Sequence, residues 1–439
     1  MRLFESVGDR MEAIGIPGVA IGVLDGGEET VRGFGVTSVE HPLDVDGDTL
    51  FQIGSITKTF TGTVVMRLVE EGRLDLDAPL RTYLPELRLR DEDVASRVTM
   101  RHLLTHTGGW VGDYFDDTGP GDDALARMCE RLVDLPQETP LGELSAYNNA
   151  GFYLAGRVVE VVVGRPFETV LRELVLEPLG LRRTFFSAEE VITHRFAVGH
   201  DREGKVARPW ALTRSTAPAG GLVSSARELL RYARFQLGDG DGVLRRETME
   251  AMRRPAAAAS GIADWVGLTW YGRELDGRTF VGHGGGTNGQ ISSLQLCPAE
   301  GWALAVLTNH DDGGELTRAV FAEAVRERFG IEVRDPERVD ATRDQLEEVC
   351  GTYEAALGAY DVRLSDGALV AEYRPKGGFP RRDSPPRPAP PPFELALTSE
   401  GGIVVVDGPG KGATVELLRD ESGGIVWLRA GGRLHRRVA

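Results

Sequence analysis

The chain changes its hydrophobic rhythm once, near Cys350, and that change limits the possible folds more than any other feature. Beyond it, short alternating runs recur every eight to twelve residues or so, separated mostly by Gly-rich or Asp-Gly turns. They are Thr352–Ala355, Tyr360–Leu364, Ala368–Tyr373, Phe393–Leu397, Ile403–Val406, Thr414–Leu418, Ile425–Leu428 and Arg433–His435. A period of two in runs this short suits strands with one buried face, and about eight of them predict a small antiparallel β-barrel. Residues 376–392 break the rhythm. Proline at their density resists both helix and ladder, so an extended loop is expected. The plain reading is a surface loop; the alternative is a segment that folds across a neighbouring cleft.

Before Cys350 the pattern is mixed. Residues 13–24 and 29–36 read as two strands joined by an Asp25-Gly-Gly turn. Gly54-Ser55 opens a helix running to about Glu71, with Phe60, Val64, Val65 and Leu68 on one buried stripe and Gly72 as C-cap. From about 86 to 214 the chain is helix and loop, including one strongly apolar helix through Val158–Val163. Another helix follows over Ala226–Leu237, then strands at Phe280–Val281, Ile291–Leu296 and Ala303–Thr308, and a helix at about Leu316–Phe329. Strands at both ends with helices between predict an α/β sandwich, an antiparallel sheet flanked by helices with an all-helical insertion. At 439 residues the chain is too long for one ordinary core. The expected division is residues 1–335, with the insertion at about 86–214, and a barrel over 345–439.

A formal net charge of -17 disfavours nucleic acid and anionic membrane as partners, since both repel an acidic surface. Cys129, Cys297 and Cys350 are odd in number and far apart, so neither a disulfide framework nor a metal-ligand cluster is expected, and a reducing compartment is the default. The first residues lack a basic-then-apolar secretory pattern, and no apolar run is long enough to span a bilayer. The expected location is therefore cytoplasmic, with a small-molecule or peptide substrate. Oligomeric state is left open.

Only four of the 50 basic side chains are lysine, and one of them, Lys58, lies one turn after Ser55 at the head of an apolar segment. Arginine cannot act as a base, whereas a desolvated lysine can lose its proton near neutrality. Ser55-x-x-Lys58 therefore points to a serine nucleophile activated by an amine. On its own the quartet also arises by chance on a solvated helix face. The pair needs oxyanion donors and a proton carrier. Ser55 at a helix N-terminus supplies one backbone N–H. His283-Gly284-Gly285-Gly286 lets a backbone approach a substrate closely, with Gly286 as the second donor; it could equally be a Gly-rich hairpin with an ordinary histidine. Tyr147, with a lowered pKa, could carry the proton to the leaving group. Asn148 or Asn149 would cap the helix beginning near Ala150.

Taken in this order, Ser55-x-x-Lys58, Tyr147-Asn148-Asn149 and His283-Gly284-Gly285 resemble the three signature motifs of class C β-lactamase and penicillin-binding-protein-like serine hydrolases. Thr99–Gly109 resembles that family's loop beside the cleft, and Ala219–Ala226 joins the resemblance, which spans about residues 5–330. It implies a β-lactamase/transpeptidase-like fold, with Ser55 as nucleophile, Lys58 as base and Tyr147 as proton shuttle. It further implies that Asn149 holds the substrate amide and Lys58, and that Ser55 and Gly286 form the oxyanion hole with Gly285 beside them. The C-terminal barrel resembles the lipocalin-like domain of D-aminopeptidases and penicillin-binding-protein-type thioesterases. One departure stands out: the family's third motif begins with Lys, and here the position is His283, a weaker and pH-dependent cation. That turns the expectation from β-lactams toward esters, amides and peptides.

The leading reading is thus a cofactor-free, metal-free serine hydrolase working through acyl-Ser55 on an amide, peptide or ester. The alternative hands the same acyl group to an amine or alcohol, as an acyltransferase or a peptide-cyclising thioesterase of natural-product assembly. A third reading is a non-catalytic binding module. His102 and His106 have i, i+4 spacing but lack the intervening Glu of a zinc helix.

Overall fold

In the computed structural model, which describes residues 2–408 and 410–438, strand β1 (Gly18–Asp25) shows how the first part of the chain is layered. Its side chains alternate between two cores. Val19, Ile21 and Val23 face one apolar cluster, while Ala20 and Leu24 face the other. Both faces are apolar, which is why the sequence shows a continuous apolar run rather than alternation. On the second face small residues prevail, and a Cβ at Gly22 would lie 2.9 Å from Leu230. The helix Ala226–Leu237 therefore packs almost directly on the sheet backbone.

The remaining strands up to the barrel are β2 (Glu28–Gly35), β3 (Phe51–Gln52), β4 (Val223–Ser224), β5 (Ala257–Ala258), β6 (Trp265–Val266), β7 (Tyr271–Leu275), β8 (Arg278–Gly286), β9 (Ile291–Cys297) and β10 (Trp302–Thr308). Eight of them form one antiparallel sheet in the order β2-β1-β10-β9-β8-β7-β6-β5, and β3 pairs separately with β4. One sheet face is covered by the first and last helices of this part, Val7–Ile14 and Gly313–Phe329. The other carries helices Thr57–Glu70 and Ala226–Leu237, and behind them the helices between Glu92 and Val191.

The first expected strand was placed too early. Residues 13 and 14 end the helix Val7–Ile14, which buries Val7 and Met11 and stops at Gly15 in the left-handed region, φ 86°. Pro17 follows and the strand begins at Gly18. Helix Thr57–Glu70 starts on a 3-10 turn over Gly54–Ile56, and nearly every residue of it is buried, Lys58 included.

The eight expected C-terminal strands all form: β11 (Gly351–Glu354), β12 (Gly358–Ser365), β13 (Ala368–Pro375), β14 (Phe393–Leu397), β15 (Ile403–Val405), β16 (Thr414–Arg419), β17 (Ile425–Ala430) and β18 (Arg433–Arg437). They close into a barrel in sequence order, each paired with the next and β11 with β18. Tyr353, Leu369, Phe393 and Leu428 fill it. The helix Arg343–Val349, capped by a reciprocal Thr342–Gln345 box, packs Leu346 and Val349 against that core.

Strand β8 meets the Ser55 turn through its glycines. A Cβ at Gly285 would lie 1.9 Å from the Ile53 carbonyl oxygen, whereas one at Gly284 would find only the Ser292 carbonyl at 3.7 Å. Gly285→Ala is therefore expected to cost about 1–3 kcal/mol and to push β8 away from Ser55, whereas Gly284→Ala should stay within about 0.5 kcal/mol of the parent. Thermal unfolding of the two variants side by side checks this; equal midpoints would mean that the close approach does not constrain the fold.

Candidate active site

Lys58 is 0 % exposed, and its amine has three neighbours within hydrogen-bond distance. Ser55 Oγ is at 3.0 Å, Asn149 Oδ1 at 2.7 Å and the Ala219 carbonyl oxygen at 2.6 Å. The last two can only accept. In its neutral form the amine has two N–H bonds and one lone pair, so those two acceptors would take both hydrogens and leave the lone pair for the Ser55 hydroxyl. Burial, reinforced by the nearby Arg433 cation and opposed by the Asp113 carboxylate, holds the amine's pKa well below that of a free lysine. The placement beside Ser55 Oγ and the lowered proton affinity are what a base for Ser55 would need.

Asn149 sits at the start of helix Asn149–Val163. Asn148 caps that helix, its side chain accepting from the Gly151 N–H at 2.7 Å. The amide of Asn149 is oriented by a residue that motif reading did not find. Asn149 Nδ2 donates to Asp113 Oδ1 at 2.7 Å, and since a carboxylate only accepts, the Asn149 oxygen must face Lys58. Asp113 is in turn gripped by Arg433 at the start of β18, with Nε donating to Oδ2 at 2.5 Å.

Tyr147 lies beside the pair. Its ring centre is 4.9 Å from Lys58 Nζ and 4.8 Å from the Arg433 guanidinium carbon, its backbone N–H donates to the Gly432 carbonyl at 2.8 Å, and His106 stacks on it at 4.7 Å. The expectation of a lowered phenol pKa is corrected. Burial raises it, and the hydrogen bond with Ser55 offsets that only in part. Tyr147 is therefore a neutral hydroxyl, able to relay a proton only by giving one as it takes another.

His283 also departs from expectation. Its imidazole is buried, and its Nδ1 lies 2.5 Å from the Gly284 carbonyl, which makes Nδ1 the donor. Desolvation and the neighbouring Lys58 push its pKa down to about 3. It is not the pH-dependent cation expected at this position; at neutral pH it carries no charge. Gly54, at φ 49°, allows Gly286 to approach, since a Cβ there would lie 2.8 Å from the Gly286 nitrogen. The Gly286 amide is thereby carried alongside the Ser55 turn.

Ser55, Tyr147, Asn149, His283, Gly285 and Gly286 all line one cavity of about 700 Å³, with Lys58 beneath it. The C-terminal part lines it too, through Tyr373, Phe379, Arg387 and Arg433. The proline-rich segment is therefore no plain surface loop. Phe379 sets its ring edge-on to Phe115 at 4.9 Å, and Arg387 pairs with Asp311 at 2.7 Å. Phe379 and Arg387 belong to the segment 376–392 whose alternative reading was to fold across a cleft, whereas no sequence signal marked Asp113 or Arg433, because each acquires its place only when distant segments meet. His102 bonds its own N-cap Thr99, and His106 Nδ1 accepts from the Asn148 N–H at 3.0 Å. Among the described residues, no group of three or more His, Cys, Asp or Glu side chains is arranged to hold a metal ion, and no helix is long and apolar enough to cross a membrane.

Comparison with known proteins agrees with this architecture. The Beta-lactamase family profile matches residues 4–325. Penicillin-binding protein 4 of Amycolatopsis lactamdurans is 34% identical over 364 residues, covering 78% of this chain and 94% of that protein. The crystal structure of SurE with D-Leu superposes with a TM-score of 0.73 at 26% identity, over 99% of this chain and 98% of SurE. The class C β-lactamase of Rhodobacter sphaeroides shares the fold (TM-score 0.63, 23% identity) over 74% of this chain and 99% of its own. The chain belongs to the β-lactamase family, the penicillin-binding-protein type of serine hydrolase.

Proposed function

We propose that this protein is a serine hydrolase that acts through an acyl-Ser55 intermediate on an amide, peptide or ester. The observation that carries the reading is the placement of the buried Lys58 amine, 3.0 Å from Ser55 Oγ and held by the Asn149 and Ala219 oxygens, with a pKa well below the ordinary lysine value. As the Ser55 oxygen bonds to the substrate carbonyl carbon, its proton passes to Lys58. The carbonyl oxygen takes the negative charge, and the Ser55 and Gly286 N–H groups stabilise it. The intermediate collapses by breaking the bond to the leaving group. Tyr147 donates its proton to that group and regains one from the Lys58 ammonium. Water, deprotonated along the same path, then releases the acid. With His283 neutral, the third-motif position offers no cation to a substrate carboxylate, which favours substrates other than β-lactams.

The second reading is transfer of the acyl group to an amine. Likeness to SurE extends over 99% of the chain, barrel included, and SurE has been solved with D-Leu. A D-amino acid unit in the substrate or the acceptor is the corresponding expectation.

Intact-mass measurement after exposure to esters, thioesters, and D- and L-amino acid amides should show one acyl adduct on the parent. None should form on Ser55→Ala or Lys58→Arg, the arginine keeping charge but not basicity; an adduct on Ser55→Ala would remove the nucleophile assignment. Tyr147→Phe is expected to slow turnover by roughly 10²–10⁴, and an unchanged rate would take Tyr147 out of the proton path. Supplying an acyl thioester with and without a D-amino acid amide separates the two readings. Free acid in both reactions supports hydrolysis, and a new amide formed only with the acceptor supports transfer.

A further inference from the structure

Among the parts of the barrel that line the cleft, the β17–β18 hairpin makes polar contacts with the segments that carry Tyr147 and Asn149 and with Asp113. Arg429, 2 % exposed, donates to the Ser145 carbonyl at 2.8 Å, two residues before Tyr147. The Gly432 carbonyl accepts the Tyr147 backbone N–H. At the turn there is no room for a side chain: a Cβ at Gly432 would lie 2.3 Å from Ile262 and 3.4 Å from the Tyr147 Cβ. Arg433 then grips Asp113 through Nε at 2.5 Å and a second nitrogen at 3.3 Å. Asp113 is 7 % exposed, and its Oδ1 accepts from the same Asn149 amide that holds Lys58.

We propose that Arg433 is a positioning residue for the Ser55–Lys58 pair, acting through Asp113 and Asn149, so that the hairpin of the C-terminal barrel fixes how the base is held. The inference rests on Lys58 being the base. Each link has one permitted direction. The guanidinium only donates, the carboxylate only accepts, and the amide has one end of each kind. Fixing Arg433 therefore fixes which end of Asn149 faces Lys58. Without Arg433 the buried Asp113 carboxylate would be free to turn, and the amide could rotate and present its NH₂ to the amine.

The same pair acts on Lys58 through charge. The groups facing its amine are Tyr147, Asn149, His106, His283, Asp113 and Arg433. Among them Arg433 disfavours the protonated amine and Asp113 favours it. Removing Arg433 should let Lys58 keep its proton to higher pH, and neutralising Asp113 should make it lose the proton at lower pH. A merely structural role predicts something else. Loosening the hairpin would admit water to Lys58 and move both variants upward, toward the value of an exposed lysine.

The test is the rate of inactivation of the full-length chain by a fluorophosphonate across pH, with thermal midpoints as folding controls. In that reaction Ser55 Oγ bonds to phosphorus, fluoride leaves, and the serine proton goes to Lys58. The parent should show an acid limb well below 10.5, the ordinary lysine value. Arg433→Gln should lower the plateau about 10–100-fold and move the limb up by about one pH unit. Arg433→Lys, which keeps the cation but not the two-pronged grip, should restore the limb but not the full plateau. Asp113→Asn should move the limb down. Glu138, a half-buried carboxyl raised to about 7, could give a limb of its own, and Glu138→Gln should leave the limb in place. A parent profile with no acid limb sinks the base assignment and this inference with it. A parent limb that Arg433→Gln leaves unmoved, or an Asp113→Asn limb that rises or stays, sinks the inference alone. Should Arg433→Gln not fold, the direction of the Asp113→Asn shift decides.

Discussion

An amine buried without a carboxylate against it is the constraint from which the rest of the site follows. Lys58 is wholly buried, and in water an ammonium would be far more favourable than a desolvated free amine. The fold meets that cost by supplying two backbone-like acceptors, the Asn149 amide oxygen and the Ala219 carbonyl, and no direct anion. Asp113 stands one amide further away, with Asn149 between them. Were that carboxylate to touch the amine, it would hold the proton in an ion pair, and Lys58 could not serve as the proposed base. The amide works as a spacer, rigid enough to orient Lys58 and uncharged enough to leave it basic.

The charged groups round the cleft are paired with one another. Arg387 is paired with Asp311, Arg202 with Asp312 and Arg433 with Asp113. Each pair joins segments far apart in the chain, and two of them tie the C-terminal part to the first. The cavity between is walled by Phe115, Phe379, Tyr271 and Ile262. On the proposed reading, such a site would bind an acyl group largely by apolar contact and orient it by the few polar groups at Ser55. The proline-rich segment suits this use. Chain with few conformations to lose closes a cleft at a smaller entropic cost than a flexible loop would.

How far the sequence could be read depended on how local each signal was. The barrel was legible strand by strand because its outer face is polar, which leaves the alternation visible. The family was legible because its motifs sit on short segments, Ser55 to Lys58, Tyr147 to Asn149 and His283 to Gly286, and the structure brings these round one cavity. The first strand was misplaced because an apolar helix and an apolar strand run together there, with only Gly15 and Pro17 to separate them. Strands β5 and β6, two residues each, are too short to show any period. Asp113 and Arg433 lie 320 residues apart. Nothing in either neighbourhood marks a partner, because their pairing exists only once the barrel has docked.

The neutrality of His283 now has a physical account. A lysine in its place would be equally buried, and with Lys58 close by it would either lose its own proton or require an anion. Asp113, the carboxylate that acts on Lys58 through charge, is already engaged by Arg433. An imidazole avoids the difficulty: it fills the space against Tyr271 at 5.3 Å, satisfies one nitrogen on the Gly284 carbonyl and stays uncharged. The cation beside Tyr147 is then an arginine contributed by the barrel rather than a residue of β8. His283 and the C-terminal hairpin thus meet at one group, Lys58, which acts on the imidazole and is acted on by Arg433.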